Sequence, residues 1–245
     1  MTFDFTNQTA VVTGGTRGIG KAICAALLRA GAKVVATYAR DERSANEFAA
    51  EFASYPLEIA QFDVASYAHA ERFFTNFDNS HDSLEILVNN AGIRRDGVVG
   101  MMPVEDWKAV LDTNLGGTYS MTKLGLLRML PSRYGRIVNI TSPSGALGFA
   151  GQCNYAAAKA GQVAFAKSVS KEVAKRKITV NCVSPGFIDT DLISDLSDEQ
   201  KQTYREQIPM KRFGQVDEVA TAVLFLASKE ASYINGAVLE VTGGL

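Results

Sequence analysis

Metal-binding side chains are scarce here: three cysteines and two histidines among 245 residues. Cys24, Cys153 and Cys182 are widely spaced, with no Cys-x-x-Cys. His69 and His81 have no partner at ligand spacing. A zinc site is therefore not expected. An odd, dispersed set of cysteines is no disulfide framework and suits a reducing compartment. An excess of one charge is also lacking. Twenty-five basic against 26 acidic residues leave a formal net charge of −1, so no overall basic field points to nucleic acid as a partner. No uncharged apolar run approaches the roughly 18 residues of a membrane span. The opening MTFDFTNQTAVV has no basic stretch followed by an apolar one, as a signal peptide would. The expected setting is the cytoplasm.

What is present is ordinary globular material, 47% hydrophobic and 21% charged. The length suits one large α/β domain, 1–245, that buries its core without staples. Short β-branched runs at 9–13, 33–37, 57–62, 84–90, 135–141, 178–183 and 237–242 read as buried strands. Stretches of helical length and composition separate them, at 18–30, 42–53, 66–78, 104–130, 154–175 and 216–228. Such alternation predicts a doubly wound, Rossmann-like parallel sheet of about seven strands with helices on both faces. Ligands of such sheets bind beyond the carboxyl ends of the strands. The one long interruption, 187–213, reads as a mobile substrate flap.

The first strand runs into TGGTRGIG, residues 13–20, and then into a helix. Glycine permits a sharp turn and close approach to a pyrophosphate, and a helix amino end offers unpaired N–H groups to an anion. The spacing Gly14-x3-Gly18-x-Gly20 departs from GxGxxG, and a glycine-rich turn alone is weak evidence; its place between strand and helix makes it a nucleotide site. At the end of the second strand an NAD site calls for a carboxylate, whereas a 2′-phosphate calls for arginine. Here stand Tyr38 and Arg40, with Arg17 in the glycine turn, and these favour NADP(H). Asp41 close by argues the other way, and both arginines also read as solvated surface residues.

Tyr155 and Lys159, four apart, share a helix face. A nearby ammonium favours phenolate and lowers the tyrosine pKa toward the range of proton transfer. The Ser142 hydroxyl is placed to polarise a substrate carbonyl. On an arbitrary helix, YxxxK is more often a surface pair. Here it follows the glycine turn, NNAG (89–92), NLGG (114–117) and Ser142, and precedes SPG (184–186).

In that order and spacing the chain resembles the short-chain dehydrogenase/reductase family along essentially its whole length. NNAGIRRD (89–96) and GQCNYAAAKAG (151–161) are similar to motifs of its 3-oxoacyl-acyl-carrier-protein reductase branch. The resemblance implies that Tyr155 is the general acid in reduction, and that Lys159 lowers its pKa and holds the nicotinamide ribose. Ser142 would orient the carbonyl, and Asn114 would hold a water that links the lysine to solvent. Gly14, Thr16, Arg17, Gly18, Ile19 and Gly20 would cradle the phosphates. Asp63, with Val64 beside it, would bind the adenine, and Asn90, Ala91 and Gly92 would pack by the adenosine ribose. Pro185, Gly186, Ile188 and Thr190 would line the nicotinamide. Arg133 and Arg176 match carrier-docking positions of the branch, although helix ends explain basic residues equally well.

The resemblance also implies a homotetramer and, as substrate, a 3-oxoacyl group on acyl carrier protein. A reductase of acetoacetyl-CoA or of another small ketone or sugar stays open, as does a non-catalytic nucleotide-binding protein. Pro143 and Arg94 depart from the branch pattern. Arg94 adds positive charge near the expected mouth of the site.

Overall fold

The computed structural model describes residues 3–190 and 197–245. Seven strands form one parallel sheet: β1 (Thr9–Val12), β2 (Lys33–Tyr38), β3 (Leu57–Gln61), β4 (Ile86–Asn89), β5 (Gly135–Ile140), β6 (Ile178–Pro185) and β7 (Val238–Val241). Their spatial order is β3-β2-β1-β4-β5-β6-β7. The chain winds outward from β1 to β3, then returns to β4 beside β1 and winds the other way. That reversal is the crevice in which open α/β sheets hold ligands. β1, β4, β5 and β6 are buried along their whole length, as expected of continuous apolar runs covered on both faces. The edge strands β3 and β7 are only partly covered.

Helices α1 (Gly18–Arg29), α2 (Glu42–Glu51) and α9 (Val216–Ala227) cover one face. Ile23, Leu27, Phe48 and Val223 interlock there with Val12, Val34 and Ile86. On the other face lie α3 (Tyr67–Ser80), α5 (Gly117–Ser132) and α7 (Cys153–Val173). Phe74, Phe77, Met121, Met129 and Val169 pack against Val11, Leu87 and Ile137. Side chains start several helices. Asp41 accepts from Ser44 N at α2, and Ser66 accepts from His69 N at α3. Gln215 and Glu218 form a reciprocal capping box on α9.

The strands and most helices lie where the sequence pattern places them. β6 runs two residues further than expected, because Pro185 closes the ladder against Val241 and lies at a strand end, where its missing N–H breaks no interior pairing. The helix expected over 104–130 is α4 (Val104–Leu111) and α5 joined by a π-helical turn, Asp112–Gly116. The expected flap 187–213 includes residues 191–196, which lie outside the described residues. On either side of them, Ile188 bridges to Gly214, and a helix, α8 (Asp198–Gln207), is capped by Ser197. The short α6 (Ser144–Leu147) was not expected. Among the described residues no helix is long and apolar enough to cross a membrane.

Candidate active site

The glycine turn is built against the end of β4. Gly14 and Gly18 have φ of +61° and +51°, the left-handed region that other residues rarely adopt. Asn90 Nδ2 donates to the carbonyls of Thr13 and Gly14 at 3.0 and 2.9 Å. Thr13 Oγ1 accepts from the N–H groups of Asn90 and Ala91, both at 3.0 Å. A Cβ on Gly20 would lie 2.0 Å from Gly14 O, so α1 begins as close to the turn as backbone allows. Arg17 precedes α1 and provides no side-chain cap, which leaves the first N–H groups of the helix for an anion. Thr16 is buried and Ile19 packs on the core. Thr190 closes over the turn, its Cγ2 in van der Waals range of a Cβ built on Gly18.

Around this turn stand the other expected contacts. Tyr38 ends β2, and Arg40 and Arg17 are exposed beside it. Asp41 is committed to α2: it accepts from Ser44 N at 3.1 Å and Ser44 Oγ at 2.8 Å. These bonds, and then the charges of Arg17 and Arg43, hold its carboxyl below the usual range. Asp63 Oδ1 accepts from Ala65 N at 3.0 Å, and Val64 packs where a Cβ on Gly117 would lie. Gly186 has no room for a side chain, since Thr242 Cα would lie 2.9 Å from its Cβ. Its N–H donates to Val241 O, and Ile188 is buried behind it. A backbone cradle, a free helix end and two exposed guanidinium groups fit a phosphorylated dinucleotide.

The proton-transfer residues meet one strand further on. Lys159 is buried, 3% exposed, and its ammonium donates to Ile140 O at 2.7 Å. Burial pulls its pKa down to about 8. Its Nζ lies 5.4 Å from the Tyr155 ring centroid. Burial pushes the Tyr155 phenol up, against the Ser142 hydroxyl and the Arg94 charge, which pull it down. The expected lowering of this phenol by Lys159 is thus not the dominant effect in the ligand-free chain: the lysine is spent on Ile140, and desolvation outweighs the charges.

Asn114 is fully buried in the π-turn. Its Oδ1 accepts from Ile93 N at 2.8 Å, and its Nδ2 donates to Ile93 O at 3.0 Å. A Cβ on Gly92 would lie 2.9 Å from Asn114 Oδ1 and 3.8 Å from Lys159 Nζ, so the three residues border one small space. Gln162 Nε2 donates to Asn114 O at 3.0 Å and to Thr118 Oγ1 at 2.6 Å. The π-turn and Gln162 had no sequence signal, whereas functional sites often carry such bulges.

A chain of polar side chains also runs along the rim. Ser142 Oγ donates to Ser144 Oγ at 3.1 Å, and Ser144 Oγ to Gln152 Oε1 at 3.1 Å. Gln152 Nε2 donates to Asp96 Oδ2 at 3.4 Å, and Asp96 pairs with Arg94. Ser144, Gln152 and Asp96 were not singled out from the sequence, although Asp96 and Gln152 lie inside the two quoted motifs.

Arg133 and Arg176 are elsewhere. They precede β5 and β6, at the amino edge of the sheet, and Arg133 Nη2 donates to Lys175 O at 3.0 Å. About twenty residues of helix, roughly 30 Å at 1.5 Å each, separate Arg176 from Tyr155.

Comparison with known proteins agrees with this geometry. Residues 14–245 match a family model described as enoyl-(acyl carrier protein) reductase. A 3-oxoacyl-[acyl-carrier-protein] reductase of Aquifex aeolicus is 46% identical over 241 residues, 97% of each chain. One from Escherichia coli is 42% identical over 242 residues, 99% of this chain and 98% of that one. A solved structure of a candidate gluconate dehydrogenase from Agrobacterium tumefaciens superposes with a TM-score of 0.95 at 32% identity, over 99% of this chain and 97% of that one.

Proposed function

Because the chain belongs to the short-chain dehydrogenase/reductase family, we propose that it is a cytoplasmic NADPH-dependent reductase of 3-oxoacyl thioesters carried on acyl carrier protein. The observation that carries this reading is the convergence of Ser142, Tyr155 and buried Lys159 on the same strand ends as the glycine turn. The curated relatives, named for 3-oxoacyl reduction, favour that chemistry over the enoyl reduction named by the family model.

Bound NADPH supplies the hydride that reaches the substrate carbonyl carbon. The Tyr155 phenol gives its proton to the carbonyl oxygen as charge develops there. The Ser142 hydroxyl, rotated from Ser144 Oγ to the substrate, donates a hydrogen bond to the same oxygen and fixes its position. One hydride and one proton together turn the ketone into a secondary alcohol. Lys159, with its pKa near 8, is matched to resupply a proton near neutral pH, and Asn114 shares with it the small space beside Gly92. Exposed Val98, Val99, Met101 and Leu147 flank the mouth and suit an acyl chain. Arg17 and Arg40 favour a 2′-phosphate, since Asp41, the carboxylate next to Arg40, is already used as a helix cap.

Carrier docking on Arg133 and Arg176 favours delivery to another copy, because the pair lies at the amino ends of β5 and β6 while Tyr155 lies toward the carboxyl ends of the strands. We place the carrier on one protomer of a homotetramer and the reacting Tyr155 on a neighbour. α5 and α7 have apolar residues spread around them, Tyr119 and Leu127 being exposed, as interface helices do.

The test is a panel of matched carrier-borne and CoA-borne 3-oxoacyl substrates with NADPH and NADH. The carrier form with NADPH is expected to give the highest kcat/KM. Arg40→Ala is expected to weaken NADPH at least about tenfold, as loss of a charged hydrogen bond does, and NADH hardly at all. Arg133→Glu with Arg176→Glu is expected to raise KM for the carrier form alone. Equal use of both thioesters, with that double variant harmless, contradicts the carrier assignment.

A further inference from the structure

The segment after β4 is fastened onto the first turn of α7. Asn154 Nδ2 donates to Arg95 O at 2.8 Å while its Oδ1 accepts from Tyr155 N at 2.7 Å. Gly97 N donates to Gly151 O at 2.8 Å. This fastening holds Arg94 against Tyr155, with the guanidinium carbon 5.9 Å from the ring centroid. Arg94 is in turn held by Asp96, which accepts from its Nε at 3.2 Å. From Asp96 the hydrogen bonds pass through Gln152 and Ser144 to Ser142. The polar path therefore starts over the Tyr155 ring and ends on the Ser142 hydroxyl, and the reduction chemistry above makes no use of it.

We propose that Arg94 is a positioning residue: a second cation on the Tyr155 ring, buttressed by Asp96, that sets the proton affinity of the phenol while the Asp96–Gln152–Ser144 path fixes the place of the Ser142 oxygen beside it. This inference rests on the reading of Tyr155 as proton donor. Arg94, and not Lys159, is the cation whose charge lowers the proton affinity of the phenol. Among the described residues, the charged and titratable groups around the phenol are Arg94 and Asp96 from the segment after β4 and Lys159 from α7. Tyr204 of α8 also interacts with Arg94. Arg94 lowers the proton affinity of the phenol, Asp96 raises it, and burial raises it further. Arg94 itself stays charged, its pKa raised chiefly by the hydrogen bond to Asp96.

Opposite signs follow for the two partners. Arg94→Thr removes the cation and leaves Asp96 facing the phenol, so Tyr155 ionises at higher pH. Asp96→Asn leaves the cation uncompensated, so Tyr155 ionises at lower pH. A unit charge at about 6 Å moves a titration midpoint by about 0.5 in a water-like medium and about 2 at an effective dielectric of 20. The displacement expected is therefore about 0.5 to 2 on the pH scale in each direction.

The experiment titrates tyrosinate absorbance in the ligand-free protein, subtracting the same titration of Tyr155→Phe so that only this phenol is read. Arg94→Thr, Arg94→Lys and Asp96→Asn are compared, with thermal melting to confirm that each is folded. The expected order of midpoints is Asp96→Asn below the unchanged protein and Arg94→Thr above it, with Arg94→Lys near it. The rising limb of kcat/KM against pH for 3-hydroxybutyryl-CoA oxidation with NADP+ is expected to move in the same order. Midpoints that coincide, variants that move in the same direction, or no Tyr155-dependent change in any of the proteins would overturn the proposal. The reading of the reaction fails separately: Tyr155→Phe would then retain turnover, while the titration still judges Arg94.

Discussion

Lys159→Met is expected to abolish turnover and, near pH 7, to make the protein more stable. Lys159 is almost wholly enclosed, and burial brings its pKa from an ordinary 10.5 to about 8. The folded state thus pays a desolvation penalty for keeping this group charged. A difference of 2.5, from 10.5 less 8, corresponds to about 3 kcal/mol below pH 8. Against this stands the hydrogen bond to Ile140 O, which contributes about 1 kcal/mol. Methionine fills a similar volume without charge, so a net gain of about 2 kcal/mol is expected at pH 7, a rise in Tm of roughly 4–8 °C for a chain of this size. Between about pH 8 and pH 10.5 the unfolded chain binds this proton and the folded one does not, so the unchanged protein gains stability as pH rises and the advantage of the variant disappears. Turnover is expected to fall by about 100-fold or more. Melting curves of both proteins at pH 7 and pH 10 decide the matter. A variant that is less stable at pH 7, or a difference that does not depend on pH, shows that Lys159 carries no buried-charge penalty.

Gly20→Ala is expected to be damaging although alanine is the better helix former. In an open helix the exchange would stabilise by about 1 kcal/mol. Here the new methyl would lie 2.0 Å from Gly14 O and 2.6 Å from Asn90 Nδ2. The first of these atoms is backbone in a turn pinned by two hydrogen bonds from Asn90, so it cannot yield without opening the cradle. Overpacking of this kind costs about 1–3 kcal/mol or more. We expect a net loss of about 2 kcal/mol in stability and at least about tenfold in nicotinamide dinucleotide affinity, read by fluorescence titration. Gly100→Ala meets nothing within 4 Å and serves as the control. Equal affinities in Gly20→Ala and the unchanged protein would mean that the turn does not shape the nucleotide site.

All seven strands are legible in the sequence because each is a short apolar run bounded by turn residues, and the parallel sheet with helices on both faces follows from their alternation with helices. The glycine turn was legible for the same reason, as it stands between a strand and a helix. What was not legible depends on depth and on long-range contacts. The spacing of Tyr155 and Lys159 puts them on one face, but nothing in four residues tells that Lys159 is enclosed and bonded to Ile140. The expected direction for the phenol was therefore reversed by burial. The π-turn at Asn114 leaves no mark in the pattern, since it shifts the helix by a single residue while Gly117 allows close packing on Val64. Gly15 was passed over, although Cys24 and Ala36 crowd the place of its Cβ. Arg94 was visible as a departure from the motif, and only its partners in space reveal what it touches. Arg133 and Arg176 came from the resemblance alone, and their distance from Tyr155 needed the sheet direction to become visible.

The central claim is that Tyr155 delivers the proton as hydride reaches the carbonyl, and Tyr155→Phe tests it most directly. NADPH oxidation with a saturating 3-oxoacyl thioester is to be followed alongside cofactor affinity measured on the same preparation. The expected result is a fall in kcat of about 100- to 10,000-fold, the range that a positioned general acid supplies, with NADPH affinity changed by less than about twofold. Near-normal turnover in that variant would contradict the account.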